Sequence, residues 1–123
     1  GLEALFRRHK KLAEATWATV KALGLQLFAP EAPSEALTAV KVPDGIDGVR
    51  LHELFFERFG ITVAEGQDRA KGKIIRIAHL GYYDRLDMIM VISALEMLLK
   101  QMGYSFELGR GVRAAEEVFL KES

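Results

Sequence analysis

The sequence predicts an α+β fold: a two-layer sandwich with a small, mainly antiparallel sheet and its helices on one face. Two observations carry that expectation. Stretches with apolar residues at helical spacing alternate with short runs rich in β-branched residues. The short runs come in pairs joined by loops with turn residues, and the helical stretches flank those pairs so that they can collect on one side.

The first helix is read over most of residues 2–23, where Leu2, Leu5, Phe6, Leu12, Ala13, Thr16, Trp17, Val20 and Leu23 form one stripe. Gly24 closes it, because glycine tolerates the left-handed turn after a helix. The apolar run 25–29, a loop with Pro30 and Pro33, and the run 37–42 predict two strands of an antiparallel pair. Pro43-Asp44-Gly45 is a turn signal, and Asp47 is placed to cap a second helix carrying Leu51, Leu54, Phe55 and Phe59 and ending at Gly60. A short strand is expected at 61–64, an exposed loop at 65–73 and a strand at 74–78. Asp84-Arg85-Leu86-Asp87 has the form of a capping box, opening a long helix that Gly103 ends. A final helix is expected over 112–120.

Composition excludes several classes of function. Among 123 residues, 17 basic and 17 acidic side chains cancel, so no long-range attraction draws the chain to nucleic acid or to a membrane surface. There is no cysteine, which removes disulfides, thiolate metal sites and a thiol nucleophile, and fits a cytoplasmic location. The apolar stretch around Met88 to Leu99 is broken by Ser93 and Glu96 and is too short to span a bilayer. The chain opens inside a helical pattern with no polar cap ahead of it, which reads as a cut edge within a longer polypeptide.

Most chemistry-bearing residues favour a structural reading. His9, His52 and His79 have no partners at metal-ligand spacing. Gly109-Arg110-Gly111-Val112-Arg113-Ala114 has the glycine pattern of a dinucleotide fingerprint. The chain ends at Ser123, however, without the βαβ unit and downstream acid that the mechanism needs. Ser34 and Ser93 lack a nucleophile-elbow context. Met88, Met90, Met97 and Met102 at helical spacing read as core filler.

Arg76 stands apart. Flanked by Ile74-Ile75 and Ile77-Ala78, it is costly to bury without an anion, and its planar fork of donors suits a carboxylate. The alternative is that its strand has one solvated face and Arg76 points there.

The segment Lys71-Gly72-Lys73-Ile74-Ile75-Arg76-Ile77-Ala78-His79-Leu80-Gly81-Tyr82 resembles the G-K-x-x-R-I-G-H-x-G segment of class V, fold-type-I aminotransferases, the alanine–glyoxylate and serine–pyruvate group. Arg8-His9 with Leu12-Ala13, the stretch 39–47 and Glu107-Leu108-Gly109 extend the resemblance over nearly the whole chain. Ala78 departs from it, standing where that group commonly has glycine. The resemblance implies that residues 1–123 are the C-terminal small domain of a longer enzyme and that Arg76 binds the substrate's α-carboxylate. It also implies pyridoxal 5'-phosphate as the parent's cofactor, held by a lysine in a separate large domain. Expected partners are that large domain, a second copy in a homodimeric parent, and a small amino acid such as serine or alanine with a 2-oxo acid such as glyoxylate or pyruvate. The fragment alone is then inactive. A cysteine desulfurase-like member is excluded by the absent cysteine, and a free-standing small-molecule-binding or regulatory module is the competing reading.

Overall fold

A computed structural model describes residues 1–28, 37–65, 72–78 and 84–121. Its elements run α1 (Leu2–Ala22), β1 (Gln26–Leu27), β2 (Leu37–Lys41), α2 (Gly48–Phe59), β3 (Ala64–Glu65), β4 (Ile74–Ala78), α3 (Arg85–Gln101) and α4 (Arg110–Leu120). This is the expected order. The four strands form one antiparallel sheet in the order β1-β2-β4-β3, so the expected pairing of the first two strands holds.

Local chemistry sets most boundaries. Gly24 takes φ 73°, and the N–H groups of Gly24 and Leu25 return to the carbonyls of Lys21 and Val20, closing the last turn of α1. Asp47 accepts from the Arg50 N–H at 3.1 Å, as a cap should. At α3 both halves of the capping box form: Asp84 caps the helix, and the Asp84 N–H donates to Asp87 Oδ2 at 3.0 Å.

Two boundaries differ from expectation. The strand expected at 61–64 begins only at Ala64, because the Ile61 N–H is drawn back to the Phe55 carbonyl at the end of α2. Ile61 and Val63 instead pack sideways on the core. The last helix starts two residues earlier than its apolar pattern suggests, at Arg110, for a reason given below.

One core joins the layers. Val40 and Ile75 from the sheet meet Leu12, Ala15 and Val20 of α1, Leu51 and Phe55 of α2, Ile92, Leu95 and Leu99 of α3, and Ala115 of α4. Helices therefore collect on the Val40/Ile75 face, as predicted. The close approach of α2 to the strand turn is specific: a Cβ at Gly48 would sit 1.8 Å from the Gly72 carbonyl oxygen. Among the described residues no helix is long and apolar enough to cross a membrane.

The methionine expectation is half corrected. Met88 is fully buried, but Met90 and Met97 are about half exposed, on the side of α3 turned away from the core with Leu86. Alternating apolar residues on two sides of one helix hide this distinction in the sequence.

Candidate functional site

Register fixes where Arg76 stands. It pairs with Ala39 of β2 on one side and Ala64 of β3 on the other. Side chains alternate across a sheet, and Ile75 enters the helix-side core, so Arg76 belongs to the opposite face. Ile74, two residues back on that face, is almost completely buried yet lies outside the helix-side core.

Backbone bonding refines the picture. The Phe28 N–H donates to the Ala39 carbonyl at 2.8 Å, so Ala39 directs its polar groups toward β1. Three positions along, an odd number, the Val42 N–H donates to the Lys73 carbonyl at 2.7 Å, so the hydrogen-bonded positions of β2 and β4 alternate with the Ala39–Arg76 pair. Ala39 and Arg76 are thus a non-hydrogen-bonded pair, the kind that brings side chains closest, with Cα atoms about 4.5 Å apart. A row of residues crosses the sheet: Phe28, Ala39, Arg76, Ala64. On the β2 side, Ala39 adds no atom beyond Cβ to obstruct the arginine.

Arg76 is half-buried, and among the described residues no hydrogen bond, ion pair or aromatic ring engages its guanidinium. Five N–H donors in a rigid fork on an open sheet face suit a planar anion. The sequence left open whether Arg76 was buried or pointed from a solvated face. It lies on the face opposite the helix-side core. A separate hollow of about 400 Å³ lies at the Pro43-Asp44-Gly45 turn, where Phe28, Val42, Pro43, Ile46 and Ile74 meet Lys41, Asp44 and Lys73; Arg76 does not line it.

The other sequence candidates are structural or lie elsewhere. His52 is buried, and its Nδ1 lies 2.7 Å from the Gly48 carbonyl, which can only accept, so that nitrogen donates. His9 is half-buried on α1. His79, Ser34 and the loop 66–71 lie outside the described residues. No group of three or more histidines and acids that could hold a metal occurs among the described residues.

The glycine-rich start of α4 does bind an anion, and the anion is the chain's own. Glu96, from the middle of α3 and only 4% exposed, accepts from the N–H of Gly109 at 2.6 Å, Gly111 at 2.7 Å and Val112 at 3.0 Å. A carboxylate at a helix N-terminus satisfies donors that the helix itself cannot. A Cβ at Gly111 would lie 2.8 Å from Glu96 Oε2, so any side chain there would have to displace the bound carboxylate. Sequence reasoning missed this role, although the signal was present: a lone acid inside the apolar stripe of α3.

No family model matches the chain. The soluble hydrogenase small subunit of Synechococcus sp. (strain PCC 6716) is 46% identical over 120 residues, 96% of this chain and 31% of its own length. Serine–glyoxylate aminotransferase of Hyphomicrobium methylovorum is 37% identical over 125 residues, 100% of this chain and 31% of its own length. The crystal structure of ureidoglycine–glyoxylate aminotransferase from Bacillus subtilis superposes with a TM-score of 0.93 at 33% identity, covering 98% of this chain and 32% of that one. The chain matches the C-terminal part of class V aminotransferases. It spans about a third of the length of the aminotransferases it matches.

Proposed function

We propose that residues 1–123 form the C-terminal small domain of a pyridoxal-phosphate-dependent aminotransferase, and that Arg76 binds the α-carboxylate of its substrate. The reaction transfers an amino group from a small amino acid, such as serine or alanine, to a 2-oxo acid such as glyoxylate or pyruvate. The observation that carries this reading is Arg76 itself, free of partners among the described residues and paired with alanine on both sides.

The described lysines do not fit a covalent link to the cofactor. A Schiff-base lysine is desolvated or set beside other cations so that its amine is neutral. Lys10, Lys21, Lys41, Lys73, Lys100 and Lys121 are exposed, and Lys11 donates to the Lys121 carbonyl at 3.1 Å. As the resemblance implies, the cofactor, which supplies an electron sink for the amino group's carbon, is held by a lysine in a large domain of the same polypeptide. What this chain contributes is orientation. Two parallel N–H bonds from Arg76 fix the plane of the carboxylate, which an ammonium cannot do. A homodimeric, cytoplasmic enzyme completes the reading. The aminotransferase relatives, and the small share of their length that the chain covers, support the reading of the chain as one domain of such an enzyme.

The test is Arg76→Lys in the full-length enzyme. A charge-assisted bond contributes about 1.5–3 kcal/mol, so kcat/KM should fall roughly tenfold to more than a hundredfold. The fall should be general across donors, since every amino acid presents the same carboxylate, while cofactor content stays constant. Efficiency within about twofold of the parent for two chemically different donors removes Arg76 from the carboxylate site.

A further inference from the structure

The geometry points to a binding site for a small phosphate monoester, or for phosphate itself, in the basic hollow where the start of α1, the start of α3 and the end of α4 meet.

Convergence is the first argument. Arg7 and Arg8 stand four and three residues before Lys11, spacings that put all three on one side of α1. Arg85, the first residue of α3, comes in from a second helix, and Phe119, in the last turn of α4, from a third. Together they line a hollow of about 260 Å³, in which Asp84 is the one acid among the described residues.

Charge is the second argument. The chain as a whole is neutral, yet four cations surround a single carboxylate here. Elsewhere arginines are neutralised in place: Arg50 by Glu53 and Glu57, Arg110 by Glu107, and Arg113 by Glu117. Among the described residues Arg7, Lys11 and Arg85 make no such ion pair, and Asp84 is engaged in capping α3, accepting from the Arg85 backbone N–H at 2.7 Å. Like charges gathered in one hollow repel until an anion enters it.

Two of the cations are held in place before any ligand arrives. The Arg85 guanidinium lies 5.9 Å from the centroid of the Phe119 ring, and Lys11 Nζ donates to the Lys121 carbonyl at 3.1 Å. Neither contact cancels a charge. The ring is neutral, and the carbonyl takes one of the ammonium's three donors.

The class of ligand follows from the donors. A phosphate monoester carries close to two negative charges at neutral pH and three terminal oxygens. That matches guanidinium forks arriving from two helices, whereas a lone carboxylate is satisfied by one fork. The volume lies below the roughly 300–1,000 Å³ of larger ligand sites, so the organic part is small. Arg76 does not line this hollow, and the inference is independent of the role assigned to that residue.

Calorimetric titration tests the site in the full-length protein, purified with its cofactor in place, at constant ionic strength in chloride. The probes are inorganic phosphate and glycerol 3-phosphate. Saturable binding with a dissociation constant of about 1 mM or below is expected, the strength of two or three charge-assisted bonds in an open site. Arg7→Gln and Arg85→Gln, both at exposed side chains, should each weaken it about tenfold, and the double variant should abolish it. Arg50→Gln, which removes an arginine already paired with acids, should leave it unchanged. Tighter binding of glycerol 3-phosphate assigns the site to a monoester, and equal binding assigns it to phosphate itself. No saturable binding of either anion overturns the site. So does an affinity that survives both substitutions, because the anion then sits elsewhere. A loss of the same size in Arg50→Gln also overturns it, since that marks general attraction to positive charge.

Discussion

Replacing Glu96 should cost this fold more than any substitution of a comparable exposed acid. Three backbone donors converge on its carboxylate, one on Oε1 and two on Oε2, and the Gly111 donor is buried. In Glu96→Ala the Gly109 N–H can turn to water, because Gly109 is exposed, but the Gly111 N–H cannot. One stranded buried donor costs about 1–3 kcal/mol. Losing an anion from a partly buried helix N-terminus adds up to about 2 kcal/mol. The total is roughly 1–5 kcal/mol, which at its upper end is a large fraction of the roughly 5–15 kcal/mol that holds a typical domain together. Glu96→Gln is the sharper probe. It keeps the volume, but its NH2 group must face either the Gly109 donor or the Gly111 and Val112 donors. A loss of about 1–2 kcal/mol is expected, since one donor or more must go unmatched. Urea unfolding followed by circular dichroism reads both values, and amide exchange at Gly111 and Val112 should quicken before the core strands do. If both variants unfold within about 0.5 kcal/mol of the parent, the carboxylate is not what anchors α4.

Two further outcomes are expected. Gly48→Ala should destabilise the fold by about 3 kcal/mol, the upper end for overpacking, and lower its unfolding midpoint accordingly, because its Cβ would meet the fixed backbone oxygen of Gly72 rather than a movable side chain. A midpoint equal to the parent's would show that α2 can slide away from the turn at no cost. The 123-residue chain mixed with pyridoxal phosphate and reduced with borohydride should yield no stoichiometric adduct at one lysine, as judged by its visible spectrum and mass. A single modified lysine would place the cofactor link within this chain.

The helices and their ends could be read from the sequence because their causes are local. Asp47, the Asp84/Asp87 box and Gly24 act within a turn of where they stand. The displaced strand at Ala64 could not, since the competing bond from Ile61 to Phe55 depends on how α2 unwinds. Arg76 was visible as an anomaly in an apolar strand, but its face was not. That is decided by which of Ile74 and Ile75 enters the core, and both are buried. Phe28 drew no notice for a similar reason: its position in the row depends on partners distant in the chain. Glu96 was seen only as an interruption, because its donors lie thirteen to sixteen residues away at the start of another helix.

The pairing of β2 with β4 places the core residue Ile75 and the outward arginine on neighbouring positions of one strand. A deletion or insertion of a single residue inside β4 would exchange their sides, presenting the guanidinium to the helices and an isoleucine to the open face. A change of two residues would keep each on its own side. Length variation among descendants of this chain should accordingly come in even steps within β4, while the loops remain free to vary by any number. The strand acts as a parity check on its own arginine.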